Sequence, residues 1–178
     1  MTQPSLRPQD VFVLAKLISY RGPRPPMARM GVDLSLSASE VHGALKRLAI
    51  SRLVSDEVDD GRPLLQPVEE FLLHGVKYAF PAKRGEPTRG LATSYAAPPL
   101  ASKISAGSEL PPVWPYADGK QRGIGLEPLY KTVPIAALRD PLLYELLALI
   151  DALRDGRARE RRLAGQELTA RLHQQLHG

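Results

Sequence analysis

Ser39, His42, Gly43 and Lys46 recur at a spacing that puts side chains on one face of a helix, and Arg47, Arg52 and Arg62 follow within a short stretch of chain. A hydroxyl, an imidazole and an ammonium on an exposed helix face can meet base edges in a major groove, while guanidinium groups at the flanks meet phosphates. Ser39, His42 and Lys46 are therefore candidates for base contacts, with Gly43 beside them on the outward face. Arg47, Arg52 and Arg62 are candidates for backbone contacts. The same charges would also suit a solvated face on a unit that binds another protein, so two classes of partner stay open.

Catalysis has little to build on. The histidines, His42, His74, His173 and His177, are scattered without the spacing of a metal-binding helix motif, and only His173 and His177 lie four apart, at the frayed C-terminal end. Without cysteine there is no thiol nucleophile, disulfide frame or thiolate zinc site, as suits a reducing compartment. The run Gly119-Lys-Gln-Arg-Gly-Ile-Gly lacks phosphate-loop spacing and is expected to supply turn residues. No nucleophile, base and oxyanion donor can be assembled, so the expectation is a binding protein and no enzyme, with no cofactor and no metal.

The chain has 178 residues, 43% of them hydrophobic, enough for one main core with an attachment. A net charge of +5, from 24 Lys and Arg against 19 Asp and Glu, favours anionic partners, and the excess is spread along the chain without a basic arm or tail. The start, Met1-Thr-Gln-Pro-Ser-Leu-Arg-Pro, lacks the apolar core of a secretory signal. The longest apolar run, residues 142–153, is broken by Glu145 and Asp151 and is too short for a bilayer core of about 30 Å. These features imply a cytoplasmic protein with no membrane partner.

The candidate residues need a rigid support, and the flanking pattern supplies one. A first helix is expected from Pro8, with Val11, Leu14, Ala15 and Ile18 as its buried stripe, stopping by Arg21-Gly-Pro. Residues 27–32 suit a short second helix. Ser37 and Glu40 have capping-box spacing for a third helix, whose apolar face is Val41, Ala44, Leu45 and Leu48 and whose flank carries Arg47. Leu53-Val54 and Leu64-Leu65 then bracket a loop with Asp60-Gly61, which predicts a hairpin whose tip, rich in carboxylates, should be repelled by phosphate. Pro67 at the first helical position and the stripe Val68, Phe71, Leu72 and Val76 predict a fourth helix closing near Pro81.

Residues 82–133, rich in Pro and Gly, show no helical period and are expected as an extended connection, with Asp118-Gly119 turning a small hairpin that packs Trp114 on a neighbour. Lys83, Arg84 and Arg89 in this stretch could reach a minor groove as an arm or could belong to a plain linker. Asp140 with Pro141 caps a helix whose Leu142, Leu143, Leu146, Leu147, Leu149, Ile150 and Leu153 make it apolar round most of its girth. Such a helix must be buried, either as a dimer seam or packed on the first helix. A last helix from Arg157 carries Leu168, Leu172 and Leu176, and its Arg157–Arg162 cluster can pair with Asp151, Asp155 and Glu160.

Residues 6–81, through Val41-His-Gly-Ala-Leu-Lys-Arg-Leu followed by Arg52-Leu-Val and a hairpin, resemble the winged helix-turn-helix domain of bacterial MarR-type transcriptional regulators. The acidic hairpin tip departs from the basic wing usual in that family. The fold class expected is mainly α with a small β-hairpin wing: a winged helix-turn-helix at 6–81, a connection at 82–133 and a helical segment at 134–178 for dimer or partner contacts. The resemblance implies sequence-specific binding of double-stranded DNA by a homodimer, with the helix at 37–51 in the major groove. The alternative is a protein-interaction module, such as an antitoxin or accessory subunit, whose winged helix binds a protein partner.

Overall fold

Ser37 starts the helix that carries most of the candidate residues, and its cap forms as the spacing requires. The Ser37 hydroxyl accepts from the Glu40 amide at 3.1 Å and the Glu40 carboxylate accepts from the Ser37 amide at 2.8 Å. This computed structural model describes residues 5–56, 60–105 and 107–176. Three helices open the chain: α1 (Pro8–Ser19), α2 (Met27–Leu34) and α3 (Ala38–Ile50). Between α2 and α3 the chain turns in three residues, with Ser35 in the left-handed region (φ 54°). The Leu36 amide donates back to the Gly31 carbonyl at 2.8 Å, and a Cβ on Gly31 would lie 2.6 Å from the Leu36 carbonyl oxygen. Glycine at 31 is what lets this turn close.

After α3, the Val54–Pro63 bridge is flanked by Ser55 N–H donating to Arg62 C=O and Leu64 N–H to Leu53 C=O, at 2.9 and 3.0 Å. The expected hairpin is present as this single-bridge ladder, and Gly61 takes the positive φ (49°) expected in its loop. The acidic tip at residues 57–59 lies outside the described residues. The next helix starts at Leu65, two residues before the expected Pro67, and runs as α4 (Leu65–Glu70), a π-turn (Phe71–Gly75) and α5 (Val76–Ala79). Pro67 still falls in the first turn, where a missing N–H costs nothing. Gly75 makes room in the π-turn for the Phe71 ring, which a Cβ there would approach to 3.0 Å.

The segment expected as a connection contains a sheet. A nine-residue strand, β1 (Arg84–Ala92), runs antiparallel to both β2 (Pro112–Pro115) and β3 (Gln121–Leu126), which pair with each other in parallel and close a three-stranded barrel. The small hairpin expected around Asp118-Gly119 is therefore corrected. The chain between β2 and β3 crosses β1 at Gly90, where a Cβ on Gly119 would come within 2.4 Å of the Gly90 backbone. A Cβ on Gly90 would lie 1.9 Å from the Trp114 carbonyl oxygen, and one on Gly123 would lie 2.1 Å from that of Pro111. These glycines serve backbone approach, and none of the three is at positive φ.

The C-terminal helices are α6 (Val133–Arg139), α7 (Pro141–Asp155) and α8 (Ala158–Leu176). Asp140 caps α7 by accepting from the Leu142 and Leu143 amides, both at 3.1 Å. Leu143, Leu146, Leu147, Leu149 and Ile150 are buried within the chain, where α7 touches α1, α5, α6 and α8. The apolar girth that suggested a dimer seam is thus occupied by the chain's own helices. Helix α1 is buried on every side from Asp10 to Ile18, well beyond the single expected stripe. One buried cluster runs from Val11 to Leu172, so the segments 6–81 and 134–178 share a core. Among the described residues no helix is long and apolar enough to cross a membrane.

The sheet is fastened to α7 by a buried carboxylate. Asp151 accepts from Trp114 Nε1 (2.7 Å), Thr93 Oγ1 (2.8 Å) and Arg154 (2.8 Å). Burial pushes its carboxyl up, against the pull of Arg154, Thr93 and Trp114. Tyr144, whose ring lies 5.5 Å from that of Trp114, donates to the Ala92 carbonyl, and burial raises its hydroxyl to about 12.

Candidate nucleic-acid interface

Helix α3 buries Val41, Ala44, Leu45 and Leu48 against α1 and α2 and turns Ser39, His42 and Lys46 to solvent, with Gly43 half-buried between them. Four of the seven candidates therefore share one face, and its long polar side chains are exposed. The face is held from its N-terminal end by residues far along the chain. The Tyr130 hydroxyl donates to Glu40 Oε1 at 2.9 Å and Gln9 Nε2 to the same oxygen at 3.2 Å. The Ser37 amide first, then Tyr130, holds the Glu40 carboxyl below its ordinary value. Thr132 Oγ1 donates to the Leu34 carbonyl at 2.8 Å and Arg139 to that of Val32 at 3.2 Å, so the open carbonyls at the end of α2 are satisfied from the segment around α6.

Arg47 does not stand on the flank where the sequence places it. Its guanidinium grips Asp10 through two bonds of 2.8 Å, and the Asp10 side chain is fully buried. The Arg47 side chain lies over Gly43, where a Cβ would come within 3.3 Å of it. Helical phase put Arg47 at the edge of the apolar face, and a buried carboxylate on α1 decides which way an edge residue turns. The expectation of a phosphate contact at Arg47 is corrected to an internal ion pair.

Arg52 ends α3 in a conformation that arginine rarely adopts. The Leu53 amide donates to the Leu48 carbonyl and the Arg52 amide to that of Ala49, the two bonds of a Schellman cap, with Arg52 at the left-handed position (φ 60°) where glycine is usual. Its side chain is exposed. Arg62 is exposed too, and Asp60 lies 3.9 Å from its guanidinium. Both arginines flank the single-bridge ladder that follows α3.

The remaining cationic groups part company. Arg84 is held by Asp155 and Arg157 by Glu109, at 2.8 and 3.1 Å. Asp151, expected to pair with the Arg157–Arg162 cluster, is instead buried under the sheet, and Glu160 caps its own helix by accepting from the Arg157 amide. His173 faces Glu69 at 3.3 Å, and His177 lies outside the described residues. Among the described residues no three His, Cys, Asp or Glu side chains gather to hold a metal. Comparison with protein-family models, curated proteins and solved structures returned no match.

Proposed function

We propose that the chain is a winged helix-turn-helix protein that binds double-stranded DNA sequence-specifically, as a regulator of transcription and not as an enzyme. It reads the major groove with Ser39, His42 and Lys46 of α3, with Gly43 between them, while Arg52 and Arg62 meet the backbone. Arg47 drops out of this set. The observation that carries the reading is Arg52: a non-glycine residue held at positive φ costs about 1–2 kcal/mol, and here it sets an exposed guanidinium at the end of the helix whose outward face is polar. Strain of this kind persists only where the surrounding structure holds it, and it clusters at functional sites.

The test is anisotropy across a salt series, with a duplex from upstream of the protein's own gene beside a scrambled duplex. Preference for the upstream duplex is expected. Lys46→Ala should weaken it by roughly 5–150-fold, the worth of about 1–3 kcal/mol per base contact. Arg52→Gly should raise thermal stability while lowering affinity, a combination that a purely structural residue would not give. Equal binding to both duplexes, unmoved by Lys46→Ala, would refute the reading. A homodimer, as the family resemblance implies, would use surfaces other than α7, and the length of the protected site distinguishes one half-site from two.

The alternative, a protein-interaction module such as an antitoxin or accessory subunit, is favoured by exposed Val32, Ile135 and Leu138 beside the α2–α3 turn. A partner whose binding is lost in Leu138→Ser and retained in Lys46→Ala would support it.

A further inference from the structure

Two short stretches that looked unrelated in the sequence meet across the barrel. Arg89 lies on β1 directly opposite Arg122 of β3, which belongs to the glycine-rich run beginning at Gly119. Residues directly opposite on antiparallel strands share a face with Cβ atoms about 5 Å apart, and like charges so placed repel. Lys120 and Asp118 line the same cleft, of about 560 Å³, together with Ala117 and Gly119.

Several cations elsewhere in the chain have an acidic partner. Lys16 sits on Asp140, Arg84 on Asp155, Lys103 on Glu167 and Arg171 on Glu145. Among the described residues the side chains of Arg89, Lys120 and Arg122 have no such partner, and all three are exposed. Three cations against Asp118 alone leave the cleft with a local excess of two positive charges.

We infer that this cleft is a second contact surface for nucleic acid, at which Arg89, Lys120 and Arg122 bind backbone phosphates without regard to sequence. Guanidinium forks on neighbouring strands suit phosphate oxygens, which accept bidentate bonds. The lining favours phosphate over an acidic protein: Ala117 is its one apolar side chain, whereas a protein interface needs an apolar core. For its partner the inference rests on the duplex-DNA reading, but it involves none of the α3 residues.

The test is binding of the full chain to a scrambled duplex across a salt series, with Arg89→Gln plus Arg122→Gln, Lys120→Gln and Asp118→Asn. The double variant should keep its fold, since it removes a repulsion, and should lower the salt slope by about 1.8, for two phosphates at about 0.9 each. Affinity should fall by about the same factor on upstream and scrambled duplexes. Lys120→Gln alone should lower the slope by about 0.9, and Asp118→Asn should strengthen binding.

Unchanged slopes in the double variant, or weaker binding in Asp118→Asn, would overturn the inference. So would loss of binding to polyglutamate in the arginine variants with none to duplex, which would assign the cleft to an acidic protein. If the cleft variants reduce duplex binding while Lys46→Ala changes nothing, the cleft stands and the α3 reading falls. The reverse pattern leaves α3 and removes the cleft. A wild-type chain that binds neither duplex at low salt would refute both.

Discussion

At Arg47 the distinction between a surface charge and a structural one is drawn by a single contact. Its two bonds to Asp10 take place where the carboxylate is fully buried and the arginine side chain is 13% exposed. Removing the cation leaves an uncompensated charge inside the protein, which costs about 3–5 kcal/mol. Arg47→Ala is therefore expected to lose that much stability in chemical denaturation, and Arg47→Lys to recover only part of it, because one ammonium cannot satisfy both carboxylate oxygens. A loss below about 0.5 kcal/mol, the scale of an ordinary surface substitution, would mean that the pair does not hold in solution. In the test of the proposed DNA binding, any loss in this variant would report folding, which is why Lys46 and Arg52 are the residues to probe.

Elements whose signals are local were legible, and those built by distant contacts were not. Ser37 with Glu40, and Asp140 with Pro141, mark helix starts within four residues of chain, and both caps form as spaced. The pull of Asp10 on Arg47 spans 37 residues, and that of Asp151 on Trp114 spans another 37, with no trace in either neighbourhood. Strand β1 was missed for a different reason: Gly85, Pro87 and Gly90 interrupt it, and only Gly90 of residues 84–90 is buried, so no alternation marks it. Asp118-Gly119 suggested a hairpin turn because glycine's usual service is positive φ, whereas here it gives room for a strand to cross. Gly90→Ala, with its Cβ 1.9 Å from a carbonyl oxygen, is expected to cost at least the roughly 1–3 kcal/mol of an overpacked site, while Gly107→Ala, which meets nothing within 4 Å, should be near neutral in thermal melts.

At the same scale, Asp140 joins α1 to α7 while capping the latter. Burial pushes its carboxyl up, but the bond from Lys16, the Leu143 amide and Ser19 together leave it below its ordinary value. A carboxylate lowered on folding stabilises above its unfolded pKa of about 3.9 and loses that contribution as pH falls through the folded value. Asp140→Asn keeps a competent cap and deletes only the charge, so it should be about 1–3 kcal/mol less stable than wild type at pH 7, the worth of a hydrogen bond to a charged group. The gap should close as acid protonates Asp140 in the wild type. A gap that persists at low pH would trace the loss to the cap.

For the whole molecule, the shared core sets what can fold alone. A winged-helix module with its dimer helix appended would leave residues 5–81 with a complete interior. Here α1 is buried from Asp10 to Ile18 on all sides, and α7 and α8 supply part of that cover, with Lys16 reaching Asp140 at 2.8 Å. Cutting the chain at Pro81 would expose Phe12, Leu14 and their neighbours together and remove the partner of the Lys16–Asp140 ion pair. Residues 1–81 alone are expected to show no cooperative melt and little amide protection, while the full chain unfolds in one transition. A well-protected fragment with its own melt would mean that the N-terminal helices form an independent folding unit. The expected result has a corollary: α3 is held by Tyr130 through Glu40, and the end of α2 before it by Thr132, so a substitution such as Tyr130→Phe would act on the presentation of the α3 face from 90 residues away in the chain.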